Sequence, residues 1–243
     1  MTLAFLCDFD GTVAPADVGA ALVARFTTAP ARIGELARRW GAGEIGSRAV
    51  VEGESATLRV REGEALEFVR GFTLDPGFAP FARSARSRGE PVELASEGFG
   101  FYIRELLARA ALDDLPWTAN EARFENDTVT PGFPHATGAE RGCRGCGNCK
   151  ARHVERLRRA GHRVVLVGDG LSDRCAAEAA DVVLARGRLL EWSRARGIAA
   201  LPFEDFAGVE RHALRLRAEI ATGVPMRGPA PAYPLNPPAR AEG

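Results

Sequence analysis

The 243-residue sequence lacks a net charge and a long apolar run, and we expect no leader peptide. Lys and Arg total 32 and Asp and Glu total 32, so no overall field favours binding to nucleic acid or to a membrane surface. No apolar run approaches the roughly 18 residues of a membrane span, and the N-terminus has neither a basic segment nor a cleavage site. We therefore expect a cytoplasmic monomer or homodimer that binds neither nucleic acid nor membranes.

Cysteine and lysine are both scarce. The chain has five cysteines, an odd number that argues against a disulfide framework in a sequence without a leader. Lys150 is the only lysine, and arginine supplies every other basic side chain. A lysine that persists in such a chain indicates a site that needs a compact ammonium group rather than a planar guanidinium group. The alternative is the chance survival of one lysine at a helix start.

An apolar segment of strand length, Leu3 to Cys7, ends in two aspartates. Residues i and i+2 of an extended chain point the same way, so Asp8 and Asp10 face one site beyond the strand. Open α/β sheets bind their ligands at this end of the strands. A simple polar turn is the alternative, whereas a calcium loop is excluded because Val13 and Gly19 stand where it needs glycine and glutamate.

The remaining patterns predict an α/β fold with a long helical insertion. Residues 15–74 show helical spacing of apolar residues without a strand pattern, and this segment is much longer than a strand crossover needs. We interpret it as an all-helical cap domain over the site. The predicted core comprises 1–14 and 75–221, and a disordered tail rich in Pro and Gly follows at 222–243.

Later strands are predicted at Pro91 to Ala95 and at His162 to Val167, with a hairpin within 117–134. Ser96 would then lie at a turn between the second strand and a helix that starts at Phe99. A hydroxyl and backbone N–H groups in that position suit a phosphate. A helix cap is the simpler interpretation of Ser96 taken alone.

Two further acids, Asp169 and Asp173, follow the His162 to Val167 strand in a Gly-rich turn. Together with Asp8 and Asp10 they would bring four carboxylates to one edge of the sheet. Their mutual repulsion makes such a cluster costly unless a cation neutralises it. Hard oxygen ligands, completed by water and a substrate phosphate, suit Mg²⁺. The sequence therefore predicts a magnesium site.

Three cysteines lie close together just before the lysine. Cys143, Cys146 and Cys149 have the spacing C-x₂-C-x₂-C, which can supply three thiolates to Zn²⁺ with His135 or His153 as the fourth ligand. Such a knuckle would fix the loop that carries the lysine. A redox dithiol and reduced thiols in a Gly-rich loop are the alternatives.

The order Asp-Phe-Asp-Gly-Thr, serine, lysine and Gly-Asp-Gly-x-Ser-Asp resembles the four motifs of the haloacid dehalogenase superfamily. The helical insertion is similar to the branch that contains phosphoserine phosphatase. Further segments resemble the methionine-salvage phosphatases of 2-hydroxy-3-keto-5-methylthiopentenyl-1-phosphate and their relatives. These segments are Gly43 to Arg48, Asp75 to Phe78, Ser96 to Ile103, Cys146 to Lys150 and Leu201 to Phe203. Glu97 departs from the branch, which usually has Gly or Asp there.

This resemblance, which covers roughly residues 3–215, implies a magnesium-dependent hydrolase of a small phosphorylated metabolite. It also implies a Rossmann-like core, in which helices flank a parallel sheet. Asp8 would form an aspartyl-phosphate, and Asp10 would act as acid and then as base. The residues that would bind the phosphate are Ser96, Lys150, Gly11 and Thr12. Those that would hold the metal are Asp8, Asp10 through its carbonyl, Asp169 and Asp173.

We expect the cap to choose the substrate. In an alignment without gaps, the phosphoserine phosphatase acid that meets the substrate amine falls at Asp17. The arginine that meets the substrate carboxylate falls at Glu54, which has the opposite charge. Phosphoserine is therefore disfavoured. A phosphotransferase or mutase with the same motifs is an alternative function, and a non-catalytic zinc-binding module is a more distant one.

Overall fold

A computed structural model describes residues 2–136 and 145–223. Seven strands form one sheet. They are β1 Leu3–Cys7, β2 Val92–Phe99, β3 Trp117–Glu125, β4 Thr128–Gly132, β5 Arg163–Gly168, β6 Val182–Ala185 and β7 Ala200–Pro202. Their order in the sheet is β4-β3-β2-β1-β5-β6-β7. Only β3 and β4 pair in antiparallel fashion among these neighbours, so the predicted hairpin is confirmed.

Strand β1 lies at the centre of the sheet because its side chains are apolar on both faces. All of its residues are buried, and Phe5 pairs with Val92 of β2 and with Val165 of β5. Phe5 and its alternate neighbours pack into one hydrophobic cluster, whereas Ala4 and Leu6 pack into a second one. The sheet therefore separates two apolar layers, as expected for the predicted parallel α/β core.

Helices cover both faces of this sheet. The first four are α1 Val18–Phe26, α2 Pro30–Gly41, α3 Ser47–Ser55 and α4 Glu62–Val69. The others are α5 Phe78–Ser87, α6 Gly100–Arg109, α7 Lys150–Arg159, α8 Arg174–Ala179, α9 Gly187–Ala195 and α10 Phe206–Thr222. Among the described residues, no helix is both long enough and apolar enough to cross a membrane.

Helices α1 to α4 lie between the first two strands, in the segment predicted as a cap. Backbone contacts tie this segment to the rest of the chain: the amide of Val60 donates to the carbonyl of Asp127 at 2.8 Å. The division into core and cap at 14/15 and 74/75 stays a prediction. Of the predicted tail, residues 224–243 lie outside the described part of the chain.

Strand β2 is longer than the sequence predicts. It continues past Ala95 to Phe99, and α6 begins at Gly100. A shift in the register with β3 between Ala95 and Phe99 accommodates the extra length. The prediction that Ser96 lies at a strand-to-helix turn is therefore wrong, because Ser96 lies inside an irregular part of the strand. Helix α9 and strand β7 were not predicted at all.

Candidate active site

Three acids meet where β1 and β5 end. Asp8 directly follows β1, while Asp169 and Asp173 belong to the turn after β5. Each offers a carboxylate oxygen, and these oxygens lie within 4.8 Å of one another. Asp8 is 5% exposed and Asp173 is fully buried. The parallel sheet brings them together because the carboxyl ends of parallel strands share one edge.

The single lysine lies within this group. Lys150, the first residue of α7, has its Nζ 2.7 Å from Oδ1 of Asp8 and 2.6 Å from Oδ1 of Asp173. It also donates to Oγ of Ser172 at 3.3 Å. Burial alone would lower the pKa of this ammonium group, but the two carboxylates outweigh burial and raise it. Lys150 is therefore a buried cation.

The lysine does not fully offset the burial of the acids and their mutual repulsion. Burial and then the charge of Asp173 raise the pKa of Asp8 well above its usual value. The same two causes, in the same order, raise the pKa of Asp169 to about 6. A divalent cation would reverse these shifts, and three clustered carboxylates are the hard oxygen ligands that suit Mg²⁺. The donor set therefore fits the magnesium ion predicted from the sequence.

The carboxylate of Asp10 points away from the three-acid group, toward α1 and Tyr102. Its Oδ1 accepts hydrogen bonds from the amides of Val18 and Gly19, at 2.9 and 3.1 Å, in the first turn of α1. Its Oδ2 accepts from the hydroxyl of Tyr102 at 2.7 Å and from that of Ser96 at 3.3 Å. The Asp10 side chain is thus held apart from the three-acid group by donors from three different elements.

These surroundings set the proton affinity of Asp10. Burial first, and then the nearby charge of Asp17, raise its pKa to about 6, although the Tyr102 hydrogen bond opposes the shift. A carboxyl group with a pKa near the working pH can both donate and accept a proton. Tyr102 was not predicted to have a role in the site, although it lies in the Ser96 to Ile103 segment that carries the resemblance. A further signal was its polar tip within the otherwise apolar buried face of α6.

Two glycines are required by these contacts. Gly11 has φ +70°, and a Cβ there would lie 2.4 Å from Oδ2 of Asp169. A Cβ at Gly98 would lie 1.6 Å from the hydroxyl of Tyr102. Thr12 donates to Oδ1 of Asp169 at 2.9 Å, so its hydroxyl orients that acid. A direct role of Gly11 and Thr12 in phosphate binding stays a prediction.

The haloacid dehalogenase-like hydrolase model matches residues 5–178, which include all the acids described above. The chain belongs to the haloacid dehalogenase-like hydrolase family. A relative from Geobacillus kaustophilus is 32% identical over 213 residues, which are 85% of this chain and 93% of the relative. One from Brevibacillus brevis is 29% identical over 223 residues, with 90% and 98% covered. Both are named 2-hydroxy-3-keto-5-methylthiopentenyl-1-phosphate phosphatase.

Solved structures agree with the fold. A phosphoserine phosphatase with an analogue of its phospho-aspartyl intermediate superposes with a TM-score of 0.63 at 16% identity, covering 91% of this chain and 98% of that one. The phosphoserine phosphatase from T. onnurineus has a TM-score of 0.63 at 19% identity, covering 88% and 94%. At such identities the likeness concerns the fold alone.

In this haloacid dehalogenase-like chain, hydrogen bonds tie the end of β2 to the loop before Lys150. Oε2 of Glu97 accepts from the amides of Gly147 and Asn148 at 3.0 and 3.3 Å. The side chain of Asn148 donates to the carbonyl of Ser96 at 3.0 Å. These bonds fix the loop that presents the lysine, which a zinc knuckle was predicted to do.

The zinc prediction finds no support. Within the described residues, the only group of three or more His, Cys, Asp or Glu ligands is the aspartate group around Asp8. Cys146, Cys149 and His135 do not form such a group, and Cys143 lies outside the described part of the chain. The rings of His135 and His153 are 6.1 Å apart, and burial foremost lowers the pKa of His153 to about 4.

A cavity of about 290 Å³ opens beside the acids. Asp8, Asp10 and Ser96 line one end, and helices α1 to α3 line the other. Asp17 and Glu54, the two predicted cap residues, both lie in its wall. Burial, and then the charge of Asp17, raise the pKa of Glu54 to about 7. The cavity therefore connects the acids of the core to the acids of the helical segment.

Proposed function

We propose that the protein is a magnesium-dependent phosphatase that hydrolyses a small phosphate monoester through an aspartyl-phosphate. The contact between Asp8 and Lys150, at 2.7 Å beside the cavity, is the observation on which the proposal depends. The buried ammonium group favours the ionised form of the carboxylate, against burial and the neighbouring acids, and it offers positive charge to an incoming phosphate. Family membership and the names of the relatives support the same activity.

In the first step, Oδ of Asp8 attacks phosphorus, a new O–P bond forms and the ester O–P bond breaks. A carboxylate nucleophile divides one difficult hydrolysis into two easier displacements. Asp10 protonates the alkoxide that leaves, which its pKa of about 6 allows near neutral pH. Lys150 and Ser96 bind phosphoryl oxygens, where positioning and positive charge supply most of the catalysis.

In the second step, water attacks the aspartyl-phosphate from the side that the alkoxide has left. Asp10, now ionised, takes the proton of that water, and inorganic phosphate departs from Asp8. The hydrogen bonds from Val18, Gly19 and Tyr102 hold the Asp10 carboxylate in place for both proton transfers. One residue thus serves as acid and then as base.

Magnesium would be held by Asp8, the Asp10 carbonyl, Asp169 and Asp173. When bound, it supplies charge neutralisation between the phosphate and the carboxylates. The Thr12 hydroxyl orients Asp169, and Gly11 leaves space for the Asp169 carboxylate. Lys150 contacts both Asp8 and Asp173, so the lysine joins the proposed phosphate site to the proposed metal site.

The first candidate substrate is 2-hydroxy-3-keto-5-methylthiopentenyl-1-phosphate of methionine salvage, after which the relatives are named. Apolar side chains in the wall of the cavity, those of Val23, Trp40 and Val51, suit a methylthioalkyl chain. The volume of about 290 Å³ lies at the small end of ligand pockets. We therefore propose a small metabolite as the substrate.

A panel of phosphate monoesters, assayed with and without Mg²⁺, tests the proposal. We expect phosphate release that depends on Mg²⁺ and that disappears in Asp8→Asn. Asp113→Asn, a change at an exposed aspartate, is the control and should keep wild-type rates. An Asp8→Asn protein with the wild-type rate would remove Asp8 from the mechanism. Stoichiometric transfer of phosphate to an alcohol, without release, would instead indicate a phosphotransferase.

A further inference from the structure

Three acids line the part of the cavity that lies beyond Asp8 and Asp10. Asp17 precedes α1, Glu54 lies on α3 and Glu97 lies near the end of β2. Only burial and the charge of Asp17 act on the carboxyl group of Glu54, so none of the described residues supplies it with a hydrogen bond or a cation. Glu54 thus faces the cavity as an acceptor without a donor.

Three polar atoms in the same wall are also without partners. Oε1 of Glu97 is buried and makes no hydrogen bond, and the same is true of the hydroxyls of Ser47 and Ser55 on α3. Ser47 is 8% exposed and Ser55 is 2% exposed. The Ser47 hydroxyl approaches the Glu97 carboxylate as a donor and favours its charged form, but it falls short of full hydrogen-bond geometry. Buried polar atoms normally have partners, so this group points to a bound ligand.

Positive charge is scarce in this wall. Among the described residues that line the cavity, Arg188 is the only cation, and it is exposed to solvent. A carboxylate brought into the cavity would be repelled by Asp17, by Glu97 and, increasingly above pH 7, by Glu54. Lys150 acts on Glu97, but it is already paired with Asp8 and Asp173. A hydroxyl or an ammonium group would instead supply the missing donors, and an ammonium group would also offset the negative charge.

We infer that Glu54 and Glu97 are specificity-determining residues, which accept hydrogen bonds from a hydroxyl or ammonium group of the substrate and exclude esters that carry a carboxylate. The inference rests on the proposed phosphatase function and names the class of ester that the site takes. Ser47 and Ser55 complete the polar wall. Val23 and Trp40 contact the apolar part of the same organic group.

Two matched pairs of esters test this inference. Phosphoethanolamine and O-phosphoserine differ by one carboxylate beside the ammonium group. Glycerol 3-phosphate and 3-phosphoglycerate differ by a hydroxymethyl group in one and a carboxylate in the other. We expect kcat/KM to be at least about 10-fold higher for the carboxylate-free member of a pair, since a like charge in a site of low dielectric costs at least that much. Comparison of kcat/KM between the two carboxylate-free esters, phosphoethanolamine and glycerol 3-phosphate, identifies the preferred donor as ammonium or hydroxyl.

Variants assign the preference to residues. Glu54→Gln and Glu97→Gln keep the size of the side chain and remove its charge, and we expect each to lower the ratio within the preferred pair several-fold. A general defect of folding changes both members of a pair equally, so the ratio isolates selectivity. The control is Glu52→Gln, at an exposed position of α3 that pairs with Arg48, and it should leave the ratio unchanged.

Hydrolysis of p-nitrophenyl phosphate tests the phosphatase function separately from the substrate selectivity. Esters that are not hydrolysed are compared as competitive inhibitors of its hydrolysis, so that every pair yields a ratio. Two outcomes with p-nitrophenyl phosphate hydrolysed would overturn the inference and leave the phosphatase function standing. In one, the two members of each pair have the same kcat/KM or inhibition constant. In the other, both glutamine variants keep the wild-type ratio within the preferred pair. No hydrolysis of any ester in the presence of Mg²⁺ would overturn both.

Discussion

The ammonium nitrogen of Lys150 lies 2.7 Å from Oδ1 of Asp8. The only lysine of the chain thus contacts the proposed nucleophile directly, and it reaches Asp173 at the same time. The side chain is 1% exposed, so a larger cation would have to displace its buried neighbours. Composition singled out this lysine, and the fold explains why arginine does not replace it.

Lys150→Arg should lower kcat/KM by at least about 100-fold, because a planar guanidinium group cannot occupy the small space between two carboxylates. Steady-state kinetics with p-nitrophenyl phosphate measure the loss, and circular dichroism confirms that the variant folds. Arg152→Lys, the reverse type of exchange on the exposed side of α7, is the matched control. A Lys150→Arg protein with an unchanged rate would contradict the need for a compact ammonium group.

Tyr102→Phe should move the pH profile of kcat/KM. The hydroxyl donates to Oδ2 of Asp10 at 2.7 Å and favours its ionised form. Its removal raises the pKa of Asp10 above the present value of about 6, so the protonated acid persists to higher pH. We expect the alkaline limb to shift upward by about one pH unit, since one hydrogen bond to a charged group is worth roughly that much.

The comparison uses one substrate throughout, so that the titration of the substrate phosphate cancels. Glu105→Gln, an exchange on α6 whose parent carboxylate pairs with Arg70, serves as the control. A profile of Tyr102→Phe that coincides with the wild-type profile would show that Asp10 does not govern this limb.

Glu54→Gln should stabilise the protein at alkaline pH. Burial foremost raises the pKa of Glu54 from 4.5 to about 7, so ionisation of this group costs folding free energy that grows between these values and is fully present above pH 7. The glutamine variant avoids that cost, which is up to about 3 kcal/mol. Urea unfolding should show that the free energy of unfolding of the variant exceeds that of the wild type slightly at pH 5 and by more at pH 8.

For this comparison Glu52→Gln, at an exposed position of the same helix, should change stability equally little at both pH values. A gain for Glu54→Gln that is the same at pH 5 and pH 8 would mean that its stabilisation does not come from the charge.

Mg²⁺ should raise the unfolding temperature of the wild-type protein by several degrees, because an ion that binds only the folded state stabilises it by about 3 kcal/mol at 100 times its Kd. Asp169→Asn should lose most of this shift, since Asp169 is one of the three clustered acids. Thermal melts in MgCl₂ are compared with melts in NaCl of equal ionic strength. Asp113→Asn should respond like the wild type, and an Asp169→Asn protein that does so too would exclude Asp169 as a ligand.

Much of the candidate site was predictable because its acids follow strands. Asp8, Asp169 and Asp173 come after apolar segments of strand length, and parallel strands bring such positions to one edge. The hairpin of β3 and β4 was predictable from its local pattern. Strand β7 was not, because a three-residue strand carries too little periodicity to be recognised. Helix α9 was not predicted either.

Ser96 shows where local pattern fails. The apolar run ends at Ala95, but pairing with β3 continues to Phe99 through an irregular register. Pairing of this kind depends on the neighbouring strand and not on the residues themselves. The expected turn at Ser96 was wrong for that reason, whereas α6 begins within one residue of its predicted start, with Phe99 as its N-cap. The Ser96 hydroxyl still reaches Asp10.

By itself, the sequence determined the α/β alternation, the acids at the strand ends and the importance of one lysine, because these depend on spacing and composition alone. The tertiary structure decided that Tyr102 donates to Asp10, that Glu97 holds the loop before the lysine and that Glu54 faces the cavity without a donor. These contacts depend on how helices rotate and pack against a distant strand, and no local pattern encodes such a rotation.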